Sequence, residues 1–194
     1  MMRGLRPATL SALLAALVFT GALFGGPISV LAQLVPANLR AAIFVRALGY
    51  ERSFASGTTP AKIVVVKGAS GEAAQDGAAM ARAFEEILRA GGTRRQVTVT
   101  AITMRELAAT VQDVEAQNPA AIYLPRGLYE VAERLGSARG VVVFCAAARD
   151  MERACTLSVE VAGSSPRLVV NLAQANRAGL RFDARLLGLS RVIR

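Results

Sequence analysis

Short apolar runs and amphipathic stretches alternate along most of the chain. Residues 63–66 form a continuous β-branched run, which is typical of a strand covered on both faces in a parallel sheet. Residues 72–90 instead place Met80, Phe84 and Leu88 on one stripe at helical spacing. The repeated alternation of strand and helix predicts a parallel sheet with right-handed crossovers.

The predicted elements extend this pattern to the end of the chain. The strands share apolar or alternating patterns and are residues 63–66, 96–100, 120–124, 141–145, 156–161 and 167–172. The helices share an apolar face and are residues 35–50, 72–90, 104–117, 128–135, 172–178 and 184–192. The last two strands are joined by a Gly-Ser-Ser-Pro turn, which favours a hairpin. We therefore expect a three-layer α/β fold: a mainly parallel sheet with crossover helices, a C-terminal antiparallel hairpin and two short terminal helices.

Polar residues at predicted helix starts support these assignments. Thr103 and Glu106 have the T-x-x-E spacing of a capping box. Asn171 and Asp183 stand where each terminal helix would begin, and both are favourable capping residues.

The last predicted helix has more apolar surface than one packed face needs. In a helix over residues 184–192, leucines and a valine would cover more than half of the circumference. One side must cover the sheet, and the surplus either contacts a neighbouring element or stays exposed for a partner. We take Arg185, Leu186 and Leu189 as the candidate partner contact, with burial of the whole set in the core as the alternative.

The first residues have the pattern of a secretory signal peptide. Arg3 and Arg6 precede an apolar stretch from residue 8 to about residue 24, and small residues follow at Val30 and Ala32. The apolar stretch is shorter than the ~20 residues that a spanning helix needs. We therefore expect residues 1–32 to be cleaved after about Ala32, leaving residues 33–194 as a single periplasmic domain with no stable membrane insertion.

The chain is basic, with 23 Lys and Arg against 14 acidic residues. The arginines are scattered rather than clustered in one stripe, and the longest basic run is Arg94-Arg95. Scattered arginines favour a solvated basic surface over a nucleic-acid site, so we expect no nucleic-acid partner.

Cys145 and Cys155 are the two cysteines of the sequence. An even number in an exported chain favours a structural disulfide. A redox-sensing pair and a catalytic thiol are the alternatives, and the second lacks a histidine to act as base.

The sequence offers little catalytic chemistry. It contains no histidine, which excludes a Ser-His-Asp triad and leaves only a poor set of zinc ligands. The loop after the first strand includes Gly68, Ser70 and Gly71, whose backbone amides could meet an anion at the start of the next helix. The alternative is an ordinary turn. We expect no catalytic residue, metal or cofactor, and therefore a binding protein rather than an enzyme.

Two stretches carry a family resemblance. Residues 170–193 read VNLAQANRAGLRFDARLLGLSRVI, and residues 39–50 read LRAAIFVRALGY. The first resembles the C-terminal pattern of the YfiR-like family of periplasmic proteins. The second resembles the opening helix of that family. The chain lacks tryptophan and differs in the loops KGASGEAAQDG and CAAARDMERAC, so it is identified as a divergent member.

The resemblance implies regulation. Such proteins restrain a membrane-bound diguanylate cyclase by holding its periplasmic sensor domain, and release raises cyclic di-GMP and promotes biofilm growth. Other relatives accompany histidine kinases or outer-membrane receptors. We therefore expect an inner-membrane sensor, such as a YfiN-like cyclase, as the partner, and we keep a homodimer among the assemblies to be tested. The alternative function is that of a periplasmic small-solute binding component of a transport system.

Overall fold

A seven-stranded sheet forms the centre of the molecule. The computed structural model describes residues 35–194 apart from 92, 136, 137 and 153, so the expected signal peptide lies outside the described residues. The strands are β1 (Ala61–Lys67), β2 (Val97–Thr103), β3 (Ala121–Leu124), β4 (Val142–Cys145), β5 (Leu157–Ala162), β6 (Ser165–Asn171) and β7 (Arg191–Ile193). The helices are α1 (Ala37–Leu48), α2 (Arg52–Ser56), α3 (Gly71–Arg89), α4 (Leu107–Ala116), α5 (Tyr129–Leu135), α6 (Leu172–Arg177) and α7 (Ala184–Gly188), with a 3₁₀ helix at Ala148–Glu152.

The strand order is β2-β1-β3-β4-β5-β6-β7. Neighbouring strands are parallel except β5 and β6, which form the antiparallel hairpin. This arrangement confirms the predicted fold class, because the strand–helix repeats give the parallel part and the Gly-Ser-Ser-Pro turn gives the hairpin.

The sheet separates two apolar layers. Ile63 and Val65 of β1 contribute to one layer, which also contains the buried faces of α1 and α3. Val64 and Val66 contribute to the other layer, with the buried side chains of α4 and α5. Because successive residues of a strand point to opposite faces, a continuous β-branched run is what a strand covered on both sides requires.

Aromatic side chains fill the layer between the sheet and helices α1 and α3. Phe44 of α1 stacks on Phe144 of β4 with ring centroids 4.4 Å apart. Phe84 of α3 meets Tyr123 of β3 edge-on at 6.2 Å. These contacts pack both helices against β3 and β4, and burial of large rings there stabilises the fold.

The end of the chain differs from its prediction. The helix expected over residues 184–192 ends at Gly188, and Arg191–Ile193 then form β7 beside β6. The prediction was wrong because leucine spacing alone carries no information about the open edge of β6. Val192 pairs with Val170 there, and the backbone groups of β6 gain partners.

The prediction of a capping box at Thr103 and Glu106 was also wrong. Thr103 is the last residue of β2, and α4 begins only at Leu107. The hydroxyl of Thr110 instead accepts from the backbone N–H of Arg105 at 3.0 Å and donates to the carbonyl of Glu106 at 2.9 Å. The two other predicted caps are confirmed: Asn171 accepts from the Gln174 N–H and Asp183 from the Arg185 N–H, each at 2.9 Å.

Candidate functional site

The winding of the sheet reverses at β1. Its neighbours are β2 on one side and β3 on the other, so the two crossovers run in opposite directions. In open α/β sheets such a point forms a crevice beyond the carboxyl ends of the strands, where ligands commonly bind. Here those ends are Lys67 of β1 and Leu124 of β3.

The loop of Gly68, Ser70 and Gly71, which is expected to bind an anion, forms a tight turn at this edge. A Cβ on Gly68 would stand 2.6 Å from the Cβ of Ala73, so only glycine fits between β1 and α3. Ser70 precedes α3, and its side chain makes no capping hydrogen bond. None of Gly68, Ser70 and Gly71 is among the described residues that line the adjacent crevice. Their binding of a ligand stays a prediction.

The crevice itself has a volume of about 390 Å³. Its apolar lining is supplied by alanines of α3 and by Ala146, which follows β4. Its polar lining is supplied by Glu72, Gln75 and Asp76 of α3 and by Arg126, which follows β3. A mostly apolar cleft with a few polar groups is the usual form of a small-molecule site.

A buried polar triad lies beside the crevice. The guanidinium of Arg40 in α1 donates to the hydroxyl of Tyr123 and to the carboxylate of Asp76. The Tyr123 hydroxyl in turn donates to the other Asp76 oxygen at 2.6 Å. Arg40 is 3% exposed and Tyr123 is fully buried, whereas the Asp76 side chain is 17% exposed and lines the crevice. Asp76 is therefore the triad member that a ligand could reach.

The charges of the triad compensate one another. Burial raises the pKa of Tyr123 well above its usual 10.0; Arg40 opposes this rise and Asp76 adds to it, so the hydroxyl stays protonated. Burial lowers the pKa of Arg40, but the hydrogen bonds and electrostatic interactions with Tyr123 and Asp76 raise it by more, and the net shift is upward. The triad is thus a neutral phenol bridging an arginine–aspartate pair.

Two arginine nitrogens near this edge have no acceptor. The Nε of Arg40 and the Nε of Arg126 are buried, and neither has a hydrogen-bond partner among the described residues. A buried donor without a partner costs about 1–3 kcal/mol. Because Arg126 lines the crevice, its Nε is a donor that a bound acceptor could satisfy there.

The two cysteines form the predicted disulfide. Cys145 ends β4 and Cys155 precedes β5, with their Cα atoms 5.9 Å apart. The loop that it closes is tied to the C-terminal part of the chain, because Asn171 Nδ2 donates to the Met151 carbonyl at 2.6 Å. The same Asn171 caps α6 through its side-chain oxygen. The disulfide loop and the terminal elements are therefore linked by one side chain.

The three residues of the expected partner contact, at and just after α7, differ in exposure. Leu186 is 5% exposed and belongs to the core, so its assignment to an exposed contact was wrong. Leu189 is 76% exposed, and Arg185 is exposed while pairing with Asp183 at 3.1 Å. The helix ends after one turn, so Leu186 points to the core and Leu189 lies beyond the packed face.

Sequence patterns missed the triad. Arg40, Phe44 and Leu48 share one helical face of α1, so an arginine on an otherwise apolar stripe was the available signal. Tyr123 in the apolar strand AIYL and Asp76 among small residues of α3 were similar signals. A buried charge requires a partner, but the partner's identity depends on tertiary packing.

Two other observations concern ligands and membranes. Within the described residues, no group of three His, Cys, Asp or Glu side chains is placed to hold a metal ion. None of the described helices has the length and apolar character needed to cross a bilayer.

Comparisons with known proteins identify a family and a fold. The sequence model of a family described as YfiR/HmsC-like matches residues 37–191. No curated protein matches the chain. An ABC domain from Streptococcus pneumonia, solved in complex with L-Trp, matches with a TM-score of 0.58 and 17% identity over 81% of this chain and 62% of that one.

A second solved structure is a conserved domain protein from Vibrio cholerae o1 biovar eltor str. n16961. It matches with a TM-score of 0.52 and 16% identity over 82% of this chain and 60% of that one. The chain thus spans about three-fifths of the length of these structures, and the likeness concerns the fold.

Proposed function

The chain belongs to the YfiR/HmsC-like family of periplasmic regulatory proteins, and we propose that it restrains a membrane-bound diguanylate cyclase of the YfiN-like kind by protein–protein contact. The observation that carries the proposal is the family match over residues 37–191, which spans all but the first and last few described residues.

We propose that the chain acts by binding and not as an enzyme. The sequence supplies no histidine, the commonest general base. Asp76, which lines the crevice, is already bonded to Arg40 and Tyr123 in the core. Such a triad supports a rigid binding body better than it supports proton transfer.

The exposed end of α7 is the contact that we assign to the partner. Leu189 presents an apolar side chain to solvent, and Arg185 adjoins it with its charge balanced by Asp183. Arg185 also lies over the Tyr50 ring, with 5.9 Å from its Cζ to the centroid. Arginine and tyrosine are residue types that are enriched at protein-binding hot spots.

Regulation then follows from a difference in affinity. A regulator that binds the inactive state of a sensor domain more tightly than its active state shifts the population towards inactivity. Moving a two-state partner from mostly active to mostly inactive requires roughly a 10⁴-fold preference. The pairing of β7 with β6 suits this role, because it ties the segment that follows α7 to the sheet.

Affinity capture from membranes tests the partnership. Tagged wild-type chain should recover an inner-membrane protein that contains a diguanylate cyclase domain. The Leu189→Asp variant should recover less of it, whereas Val161→Asp, at another exposed apolar position, should recover as much as wild type. Recovery of no cyclase by the wild-type chain would reject the proposal.

The crevice supports a second candidate, a small-solute binding component. Its 390 Å³ volume, the free Arg126 donor and the carboxylates of Glu72 and Asp76 suit a compact solute that carries both an acid and a base. The Streptococcus pneumonia structure was solved with such a molecule, L-Trp. A screen of amino acids by thermal shift should find a stabilising ligand whose effect is lost in Arg126→Gln. A screen without any hit would leave only the regulatory function.

A further inference from the structure

A second concave region, which we call the basic groove, lies at the end of the molecule opposite to the crevice. It has a volume of about 560 Å³ and is formed by the end of α1, by α2 and by the segment before β2. Arg46, Arg94 and Arg95 line it together with Tyr50 and Phe54. No acidic side chain is among the described residues that line this groove.

Arg95 is held in place by neutral groups. Its Nε donates to the Thr59 carbonyl, its Nη2 to the Thr59 hydroxyl at 3.1 Å and its Nη1 to the Phe54 carbonyl at 3.4 Å. Its Cζ also lies 5.2 Å from the centroid of the Phe54 ring. These bonds use three of the five N–H donors of the guanidinium and leave one on each terminal nitrogen. The side chain is therefore a fixed cation with unused donors.

Gly57 makes this placement of Arg95 possible. A Cβ at Gly57 would stand 2.5 Å from Nη1 and 2.8 Å from Cζ of Arg95. Gly57 has φ −70° and ψ 136°, a conformation that any residue adopts, so the backbone itself does not require glycine. The space that the missing side chain leaves is occupied by the guanidinium.

The nearby carboxylates do not neutralise these arginines. Glu51 is 2% exposed, and its two oxygens accept from the backbone N–H groups of Phe54 at 2.7 Å and Arg181 at 3.1 Å. Asp183 pairs with Arg185. Within the part of the chain that the structure describes, Arg46, Arg94 and Arg95 form no ion pair with an acidic side chain.

Arg95 also joins the groove to a second cavity. This cavity, of about 320 Å³, lies at the amino ends of β1 and β4 and adds Lys62 and Arg139. Glu51 is the acidic residue among the described residues that line this cavity, and its carboxylate already accepts from two backbone N–H groups. A ligand anion at Arg95 would therefore meet positive charge on both sides.

We propose that the basic groove binds a phosphate group through Arg95, Arg94 and Arg46. Three arginines supply more positive charge than a single carboxylate would balance, and guanidinium groups bind phosphate oxygens with directed, charge-assisted hydrogen bonds. The phosphate is presented either by a soluble phosphorylated compound or by a lipid headgroup. This site shares no lining residue with the carboxyl-edge crevice, and it adjoins the surface of α7 at Tyr50. It does not depend on the proposed function.

Calorimetric titration with inorganic pyrophosphate at constant ionic strength tests the soluble source. Wild-type chain should bind, Arg95→Gln should bind about tenfold more weakly or worse, and Arg82→Gln, at an exposed arginine of α3, should bind as wild type. Gly57→Ala should weaken binding without changing the charge, because it displaces the Arg95 guanidinium. Thermal melts of each variant verify the fold, and Arg46→Gln replaces Arg95→Gln if the latter unfolds.

Co-sedimentation with vesicles tests the lipid source. Vesicles of phosphatidylglycerol should retain the wild-type chain more strongly than vesicles of phosphatidylcholine, and Arg95→Gln should reduce that retention. Binding in only one of the two assays identifies the source of the phosphate. Binding in neither assay, or equal binding by Arg95→Gln and Arg82→Gln in the assay that succeeds, would overturn the proposal.

Discussion

The Tyr123 hydroxyl donates a 2.6 Å hydrogen bond to Oδ2 of Asp76, across 47 positions of the sequence. This bond joins β3 to α3, and Arg40 of α1 bonds to both side chains. Three elements of one layer thus meet at a single carboxylate, which also lines the carboxyl-edge crevice. The stability of the layer and the chemistry of the crevice are therefore coupled.

Asp76→Ala should be strongly destabilising. Arg40 is almost fully buried and would lose its carboxylate, and an uncompensated buried charge costs about 3–5 kcal/mol. Asp113→Ala is the matched control, because Asp113 pairs with Arg105 on the surface, where a salt bridge contributes about 0–1 kcal/mol. Urea unfolding of both variants measures the difference, and equal losses would refute the structural role of the triad.

Truncation of two leucines in the last segment should change the stability of the fold by very different amounts. Leu186→Ala should cost about 2–5 kcal/mol, because it opens a cavity in the core. Leu189→Ala should change stability by less than about 0.5 kcal/mol, because that side chain is exposed. Chemical denaturation of the two variants tests the placement, and a large loss at Leu189 would contradict it.

The disulfide should stabilise the chain measurably. It closes a loop between residues 10 positions apart, for which the chain-entropy model gives roughly 2–3 kcal/mol. Wild-type chain should melt at a lower temperature in reductant, whereas Cys145→Ala with Cys155→Ala should melt at the same temperature with and without it. A wild-type melting temperature that is unchanged by complete reduction of the disulfide would show that the bridge adds no stability.

Asp183 should make stability fall in acid. Its hydrogen bonds with Arg185 lower its pKa from 3.8 to about 2, so the folded state holds this carboxylate charged where the unfolded state protonates it. Its contribution is present above about pH 4 and is lost as the pH falls towards about 2. Hydrogen bonds from Arg191 lower the pKa of Glu160 as well, which acts in the same direction.

Asp183→Asn isolates the charge, because asparagine still caps a helix. The melting temperatures of wild type and Asp183→Asn should differ most above about pH 4 and converge as the pH approaches 2. A difference that is constant over this range would show that the charged pair with Arg185 contributes nothing.

The helices, strands and turns that depend on local sequence patterns could be predicted from the sequence. The β-branched run of β1, the stripe of α3 and the turn before β6 each determine their own element, so the order of elements and the hairpin followed from the sequence. Cys145 and Cys155 needed only the compartment and an even count.

Features that depend on distant partners could not be obtained in this way. The leucine spacing predicts a helix that includes Arg191 and Val192, because their own spacing carries no information about β6, with which they pair. Arg40, Asp76 and Arg126 were missed because each gains its role from a neighbour that only the folded chain provides. Arg95 was noted as part of a basic pair, but its fixed position depends on Gly57 and Thr59.

The level of cyclic di-GMP in cells tests the central claim, restraint of a cyclase, most directly. Deletion of the gene should raise cyclic di-GMP. Expression of the wild-type chain or of Val161→Asp should restore the low level, and expression of Leu189→Asp at equal abundance should not. A level that is unchanged by the deletion would contradict the account.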